Sequence, residues 1–405
     1  MAVEKALQSG PGTPAGVPDP SRRPRAAWVV AWLMCTLIAG ATVPTPVYPL
    51  YAHELGLTPL LVTAVFSTYA LGTLCTLLLF GGLSDRIGRR PILLAALCLG
   101  LLSCALFAVS PTLPGILGGR LLCGFAVGLS SGAATAYLGE LLADRRKAAL
   151  VASATNMAGL GIGPMLSGVL VQYGPGPMLL PYLALAALLL PGFTVLALPE
   201  TVVRAAGPVP LRPQRLRIPA EHRSAFAYSA LAALGPFATL GLFAALAGTF
   251  LRDGLHITNH LMVGVAPGTA FTAAALAQVW GSRVAPRTGV IAGMAVLPAG
   301  LVSVVAAIPA VSLTLFLVGA AVSGGAAGFA FRSGLALLSA NARPDQAGQL
   351  VSGYFTSAYL GLSLPVVGTG LLLGATTLLD TAAVFTAAVT AIALLCIVPV
   401  ARARG

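Results

Sequence analysis

The chain has 405 residues, 57% of them apolar, with 47 glycines in addition and only 8% charged residues. A soluble domain carries about 25% charged residues, and a water-facing protein of this length cannot cover its surface with so few; lipid is the outer solvent that fits. The formal net charge of +12 suggests nucleic acid as a partner until the basic residues are placed along the chain.

Residues 1–26 are rich in Pro, Gly and Ala and carry Arg22, Arg23 and Arg25. They lack hydrophobic periodicity and read as a disordered segment. Twelve apolar stretches follow, near 27–49, 59–82, 91–110, 113–138, 149–172, 178–198, 226–250, 260–281, 288–308, 310–333, 348–373 and 377–400. Each approaches the roughly 20 residues that a spanning helix needs. They are too long and continuous for the alternating strands of a membrane barrel. The expected fold is therefore an all-α membrane protein of twelve transmembrane helices. The longest break, 199–225, is rich in Pro and Arg and divides it into bundles 27–198 and 226–400, with a short tail 401–405.

With the N-terminus inside, 20 of the 23 Lys and Arg residues fall in cytoplasmic segments and only Arg252 lies in an external loop. This bias sets the orientation with both termini cytoplasmic, as a multi-pass protein of the cell membrane. It also accounts for the basic charge through anionic headgroups of membrane lipids, so no nucleic acid is needed. A weak repeat supports two halves: Ser130–Ala134 resembles Ser323–Ala327 at an offset of 193, and Pro164 has a counterpart in Pro365. Duplicated halves place a substrate site where they meet.

The six cysteines lie in apolar runs without a CxxC pair and read as packing residues, with no disulfide framework, metal site or cofactor implied. His256 and His260, at the outer start of helix 8, are four apart and could share a face; with Asp253 near, a metal site would need a third ligand and second-shell support, and a polar cluster at the helix entry is the expected reading. No P-loop, HExxH or GxSxG pattern gives an enzyme a foothold.

Three stretches carry the functional reading. Between helices 2 and 3 stands Gly81-Gly82-Leu83-Ser84-Asp85-Arg86-Ile87-Gly88-Arg89-Arg90. Helix 4 carries Arg120 followed by Gly124 and Gly128, and a charge inside a span costs about 2.5–3.5 kcal/mol on insertion scales unless it snorkels. Helix 5 contains Gly159, Gly163, Pro164 and Gly168, a small-residue pattern that lets helices approach closely around a bend. The first stretch resembles the GxLaDRxGRR signature of the major facilitator superfamily, and the third is similar to the GxxxGPxxGG stretch of its bacterial drug:proton antiporters, with Ser167 in place of a glycine.

The resemblance implies a conformational latch at Gly81, Asp85, Arg86, Gly88, Arg89 and Arg90 that ties helix 2 to helix 11. It implies that Arg120 assists coupling or binds substrate charge. It implies that helix 5 rocks against helix 8, where Gly264 and Gly268 offer a matching surface. A cavity would be lined by helices 1, 4, 7 and 10, with Tyr48, Asn156, Phe237, Gln278, Tyr354 and Tyr359 as candidate lining residues; ordinary packing is the alternative for each aromatic. Asn156 stands out, because an amide in lipid is costly without a partner. The expected activity is alternating-access transport by a monomer, exporting a small hydrophobic, neutral or anionic solute in exchange for protons. Helix 1 lacks the acid that many such exporters carry, which favours the alternative of an importer or facilitator. A membrane enzyme or receptor is the reading from another class.

Overall fold

A computed structural model describes residues 23–80, 82–142, 144–202, 223–340 and 347–402. Segments 1–22, 203–222, 341–346 and 403–405, with Gly81 and Ala143, lie outside the described residues, and so do most of the expected N-terminal segment, central loop and tail.

Helices occupy every stretch expected to span. They are α1 (Arg23–Ala39), α2 (Pro59–Phe80), α3 (Arg89–Val109), α4 (Leu113–Leu141), α5 (Arg145–Tyr173), α6 (Leu180–Leu189), α7 (Arg223–Thr249), α8 (His260–Trp280), α9 (Pro286–Ala307), α10 (Leu313–Ala340), α11 (Ala347–Leu373) and α12 (Leu378–Arg402). No strand occurs among the described residues. At about 1.5 Å per residue, the 22 residues of α2 run roughly 33 Å, enough to cross a hydrocarbon core of about 30 Å. Eleven of the described helical stretches are long and apolar enough to span. Large apolar side chains such as Leu71, Leu102, Leu183, Val302, Leu364 and Leu395 are exposed on the outside, where lipid is the matching solvent. The protein is an all-α, multi-pass membrane protein.

The first expected span needs correction in two places. Residues 23–26, part of the segment expected to be disordered, are helical. The helix also stops at Ala39, and the chain resumes as a 3-10 turn (Thr45–Val47) and a short helix (Tyr48–Leu55). Pro44 and Pro46 remove the N–H groups that would continue the ladder. Similarly, Pro191 converts the end of α6 into a 3-10 stretch, Leu190–Ala197. The histidines also need correction: His256 lies in the connection before α8, with φ +57°, and only His260 is helical, so they share no helix face.

Packing repeats at an interval of six helices. α4 packs on α2 and α3 as α10 packs on α8 and α9, and α1 packs on α5 as α7 packs on α11. Two long pairings, α5 with α8 and α2 with α11, exchange under the same shift and join the first six helices to the last six. Small residues permit these approaches. A Cβ on Gly124 would stand 2.2 Å from the Tyr69 carbonyl of α2, and one on Gly324 would stand 2.3 Å from the Ala270 carbonyl of α8.

Candidate functional site

At the basic end, the turn before α3 is shaped by Gly88, whose φ of +113° excludes most side chains. Beyond it, the N–H groups of Arg89 and Arg90 donate to the Glu200 carboxylate at 2.8 and 3.0 Å. An anion at a helix N-terminus meets both free donors and the helix dipole. The Arg89 guanidinium is buried and bridges Asp85 at 2.6 Å and Glu140 of α4 at 2.7 Å, while donating to Ser84 Oγ at 2.7 Å. Arg90 donates to the Leu196 carbonyl, Tyr137 to the Pro199 carbonyl and Thr201 to Glu140. The segment that leaves α6 is thus strapped onto the turn between α2 and α3. Asp85 and Arg86 are exposed. Among the described residues, no hydrogen bond or ion pair of this turn reaches α11; its partners are on α4 and the segment 196–202. Glu140 and Glu200 were missed as partners by sequence reasoning; each lies within a few residues of arginines, and nothing in its spacing points to the turn before α3.

The α5 pattern divides between two faces. Residues four apart share a face, whereas neighbours are about 100° apart. Gly159 and Gly163 face α1, where a Cβ would stand 2.5 Å from the carbonyls of Cys35 and Ala39 respectively. Pro164 and Gly168 face α8: a Cβ on Gly264 would stand 2.1 Å from the Pro164 carbonyl, and one on Gly168 would stand 3.1 Å from that of His260. Pro164 cannot donate to the Leu160 carbonyl, and Thr42 Oγ1 does so instead at 3.0 Å, from the broken part of the first span. Further along the α5–α8 seam, Ser153 Oγ donates to Gln278 Oε1 at 2.5 Å, and Gln172 Oε1 accepts from the His260 N–H at 2.8 Å.

Arg120, about two turns into α4 from its N-terminal end, is fully buried. Its Nη1 donates to the Ala41 carbonyl at 2.7 Å and its Nη2 to the Phe66 carbonyl at 3.2 Å. The break in the first span makes the former possible, because Pro44 has no N–H and the Thr45 N–H turns to Thr42. The guanidinium carbon lies 5.9, 5.5 and 4.9 Å from the ring centroids of Tyr48, Phe66 and Tyr69. Nε has no hydrogen-bond partner, nor does the buried Tyr48 hydroxyl. No carboxylate pairs with Arg120 among the described residues. It does not snorkel; aromatic faces and two backbone carbonyls surround it.

The other candidate residues divide. Tyr359 of α11 stands edge-on to Tyr69 of α2 at 6.4 Å and to Phe237 of α7 at 6.2 Å. Phe237 continues to Phe331 at 4.7 Å. Tyr354 is buried with its hydroxyl donated to the Phe331 carbonyl at 2.6 Å, so it packs and leaves no free polar group. Gln278 lies at the α5–α8 seam, and its carbonyl accepts from Arg332 at 2.7 Å. Asn156 is half-buried and makes no hydrogen bond among the described residues.

Known proteins give the wider setting. The family model described as Major Facilitator Superfamily matches residues 30–365. The multidrug resistance protein MdtL of Shewanella sp. (strain ANA-3) is 31% identical over 160 residues, 39% of this chain and 40% of that protein. The class C tetracycline resistance protein of Escherichia coli is 33% identical over 126 residues, 31% of each chain. Mouse solute carrier family 2, facilitated glucose transporter member 10, is 32% identical over 138 residues, 34% of this chain and 23% of that protein. The matches thus span less than half the length of these relatives. With the family model covering most of the twelve-helix array, the chain belongs to the Major Facilitator Superfamily.

Proposed function

We propose that the protein is a secondary transporter of the cell membrane that exports small, largely hydrophobic solutes by alternating access, with protons as the coupling ion. The observation that carries the reading is the paired seam: α5 on α8 and α2 on α11 join two six-helix groups through glycines and small side chains. Such contacts slide and part without a large apolar penalty in lipid. The groups correspond to bundles 27–198 and 226–400, with both termini and the basic loops cytoplasmic. Relatives named for multidrug and tetracycline resistance support export.

In this reading the conformation is closed to the outside. Opposite the basic loops, Thr45 Oγ1 donates to the Ala244 carbonyl at 2.8 Å, and Gly248 and Gly370 give close passage to Pro49 and Thr63. At the basic end of the α2–α11 pair, no hydrogen bond or ion pair among the described residues ties Asp85 or Arg86 to α11, and the strap to Glu200 and Glu140 holds the turn to its own bundle. Asn156 and Gln278 line the α5–α8 side of the route.

A facilitator is the second reading. Every described carboxylate lies at a span end or in a connection, so none among them is placed to carry a proton through mid-membrane. Everted vesicles separate the two. Uptake of a fluorescent hydrophobic drug driven by an imposed pH gradient supports coupled export. Equilibration that ignores the gradient supports the facilitator. Protein-dependent movement in neither case removes transport altogether.

A further inference from the structure

The geometry points to aromatic carboxylates as the solutes taken between the two six-helix groups, bound with the carboxylate on Arg120 and the ring among Tyr69, Tyr359 and Phe237; the inference rests on the transport reading and deepens it. A guanidinium stays protonated and offers five N–H donors. Two meet backbone carbonyls, and Nε–H is among those without an acceptor. The Tyr48 hydroxyl beside it is also buried and unpartnered. A fully buried cation with no carboxylate among the described residues costs free energy that the nearby rings offset only in part. An incoming carboxylate supplies the missing charge and accepts the free donors in a paired geometry that suits guanidinium.

The ring preference has a separate basis. From Arg120 the aromatic contacts run to Tyr69 at 4.9 Å, across the seam to Tyr359 at 6.4 Å and on to Phe237 at 6.2 Å. Tyr69 and Tyr359 belong to opposite six-helix groups, so parting α2 from α11 separates these two rings and opens the guanidinium behind them. A planar aromatic body then replaces the ring–ring contact that was lost. A cationic solute meets repulsion from Arg120, and a neutral one can accept its N–H groups but brings no charge to balance the buried guanidinium.

The test is calorimetric titration of the full chain in nanodiscs with 2-naphthoate, 2-naphthamide and cyclohexanecarboxylate. The expected result is 2-naphthoate binding at least tenfold tighter than either of the others, the scale of one charge-assisted hydrogen bond or one aromatic stack. In Arg120→Gln the difference between acid and amide is expected to vanish while the amide still binds. Should that variant fail to fold, Tyr359→Leu, which leaves Arg120 in place, is expected to weaken 2-naphthoate at least fivefold and cyclohexanecarboxylate less than twofold. Equal binding of acid and amide to the natural protein overturns the inference, as does undetectable 2-naphthoate binding to protein that still moves drug in vesicles; in both cases transport stands. Charge-selective binding by protein that moves no solute in vesicles leaves this site intact and removes the transport reading.

Discussion

Gly264→Ala tests whether the α5–α8 seam is a close-packed sliding surface. A Cβ at Gly264 would stand 2.1 Å from the Pro164 carbonyl oxygen, 3.0 Å from its carbon and 3.2 Å from the Gly168 Cα. Ordinary contact begins near 3.4 Å, so the helices must part locally by about 1 Å. All three atoms are backbone, and no side chain can rotate away. Overpacking of this kind costs about 1–3 kcal/mol. Because the strain exists only while α5 and α8 touch here, it also shifts the population by about 5- to 150-fold toward conformations in which they separate. The assay compares melting temperature in nanodiscs and initial transport rate in vesicles, normalised to inserted protein, with Gly132→Ala as reference. A Cβ at Gly132 meets nothing within 4 Å. The expected outcome is a lower melting temperature and at least a fivefold slower rate for Gly264→Ala alone. Natural behaviour of both variants would refute the seam argument.

Three further outcomes follow from the same structure. Thr42→Val removes the donor that replaces the missing Pro164 N–H and leaves the Leu160 carbonyl unpaired, at a cost of about 1–3 kcal/mol; Thr42→Ser should retain the natural melting temperature, and equal melting of the two variants would remove the role of the hydroxyl. Arg89→Met strands the partly buried Glu140 and is expected to cost about 2–3 kcal/mol, whereas Asp85→Asn loses a pair whose acid is 63% exposed and should cost under about 1 kcal/mol; equal losses would contradict the assignment of Arg89 as the hub. In vesicles Asp85→Asn should slow transport with insertion unchanged, and full activity would remove Asp85 from the latch. Gly88→Ala forces an L side chain to φ +113° and its Cβ to 2.5 Å from Glu200 Oε2, for a loss of about 1–3 kcal/mol; the added change Glu200→Ala should recover part of it, and no recovery would show that backbone strain alone is responsible.

Helix number, most helix ends and membrane class were legible in the residues, because lipid demands long uninterrupted apolar runs with satisfied backbones and tolerates few charges; the ends of the first, sixth and tenth helices were not. The turn from Asp85 to Arg90 and the glycines of α5 were legible for a local reason: a glycine at positive φ or at a helix crossing leaves a mark at one position. Partners were not legible. Asp85 and Arg89 are four residues apart, but Glu140 and Glu200 reach Arg89 and Arg90 from 51 and 110 or more positions away, and nothing in the spacing pairs them. The same limit applies to faces. Gly163 and Pro164 are adjacent in sequence, yet one serves α1 and the other α8.

Arg120 divides along the same line. Its presence inside a span followed from the residues alone, since any charge there is conspicuous against apolar neighbours. Its surroundings are tertiary. Pro44 frees a carbonyl 79 positions from Arg120, Phe66 of α2 brings another, and Tyr69 of α2 and Tyr48 of the short helix after the break add their rings. Local propensity and hydropathy act over a few turns of helix and so can be read along the chain. The company a buried charge keeps is decided by which helices pack together, and only the folded arrangement supplies it.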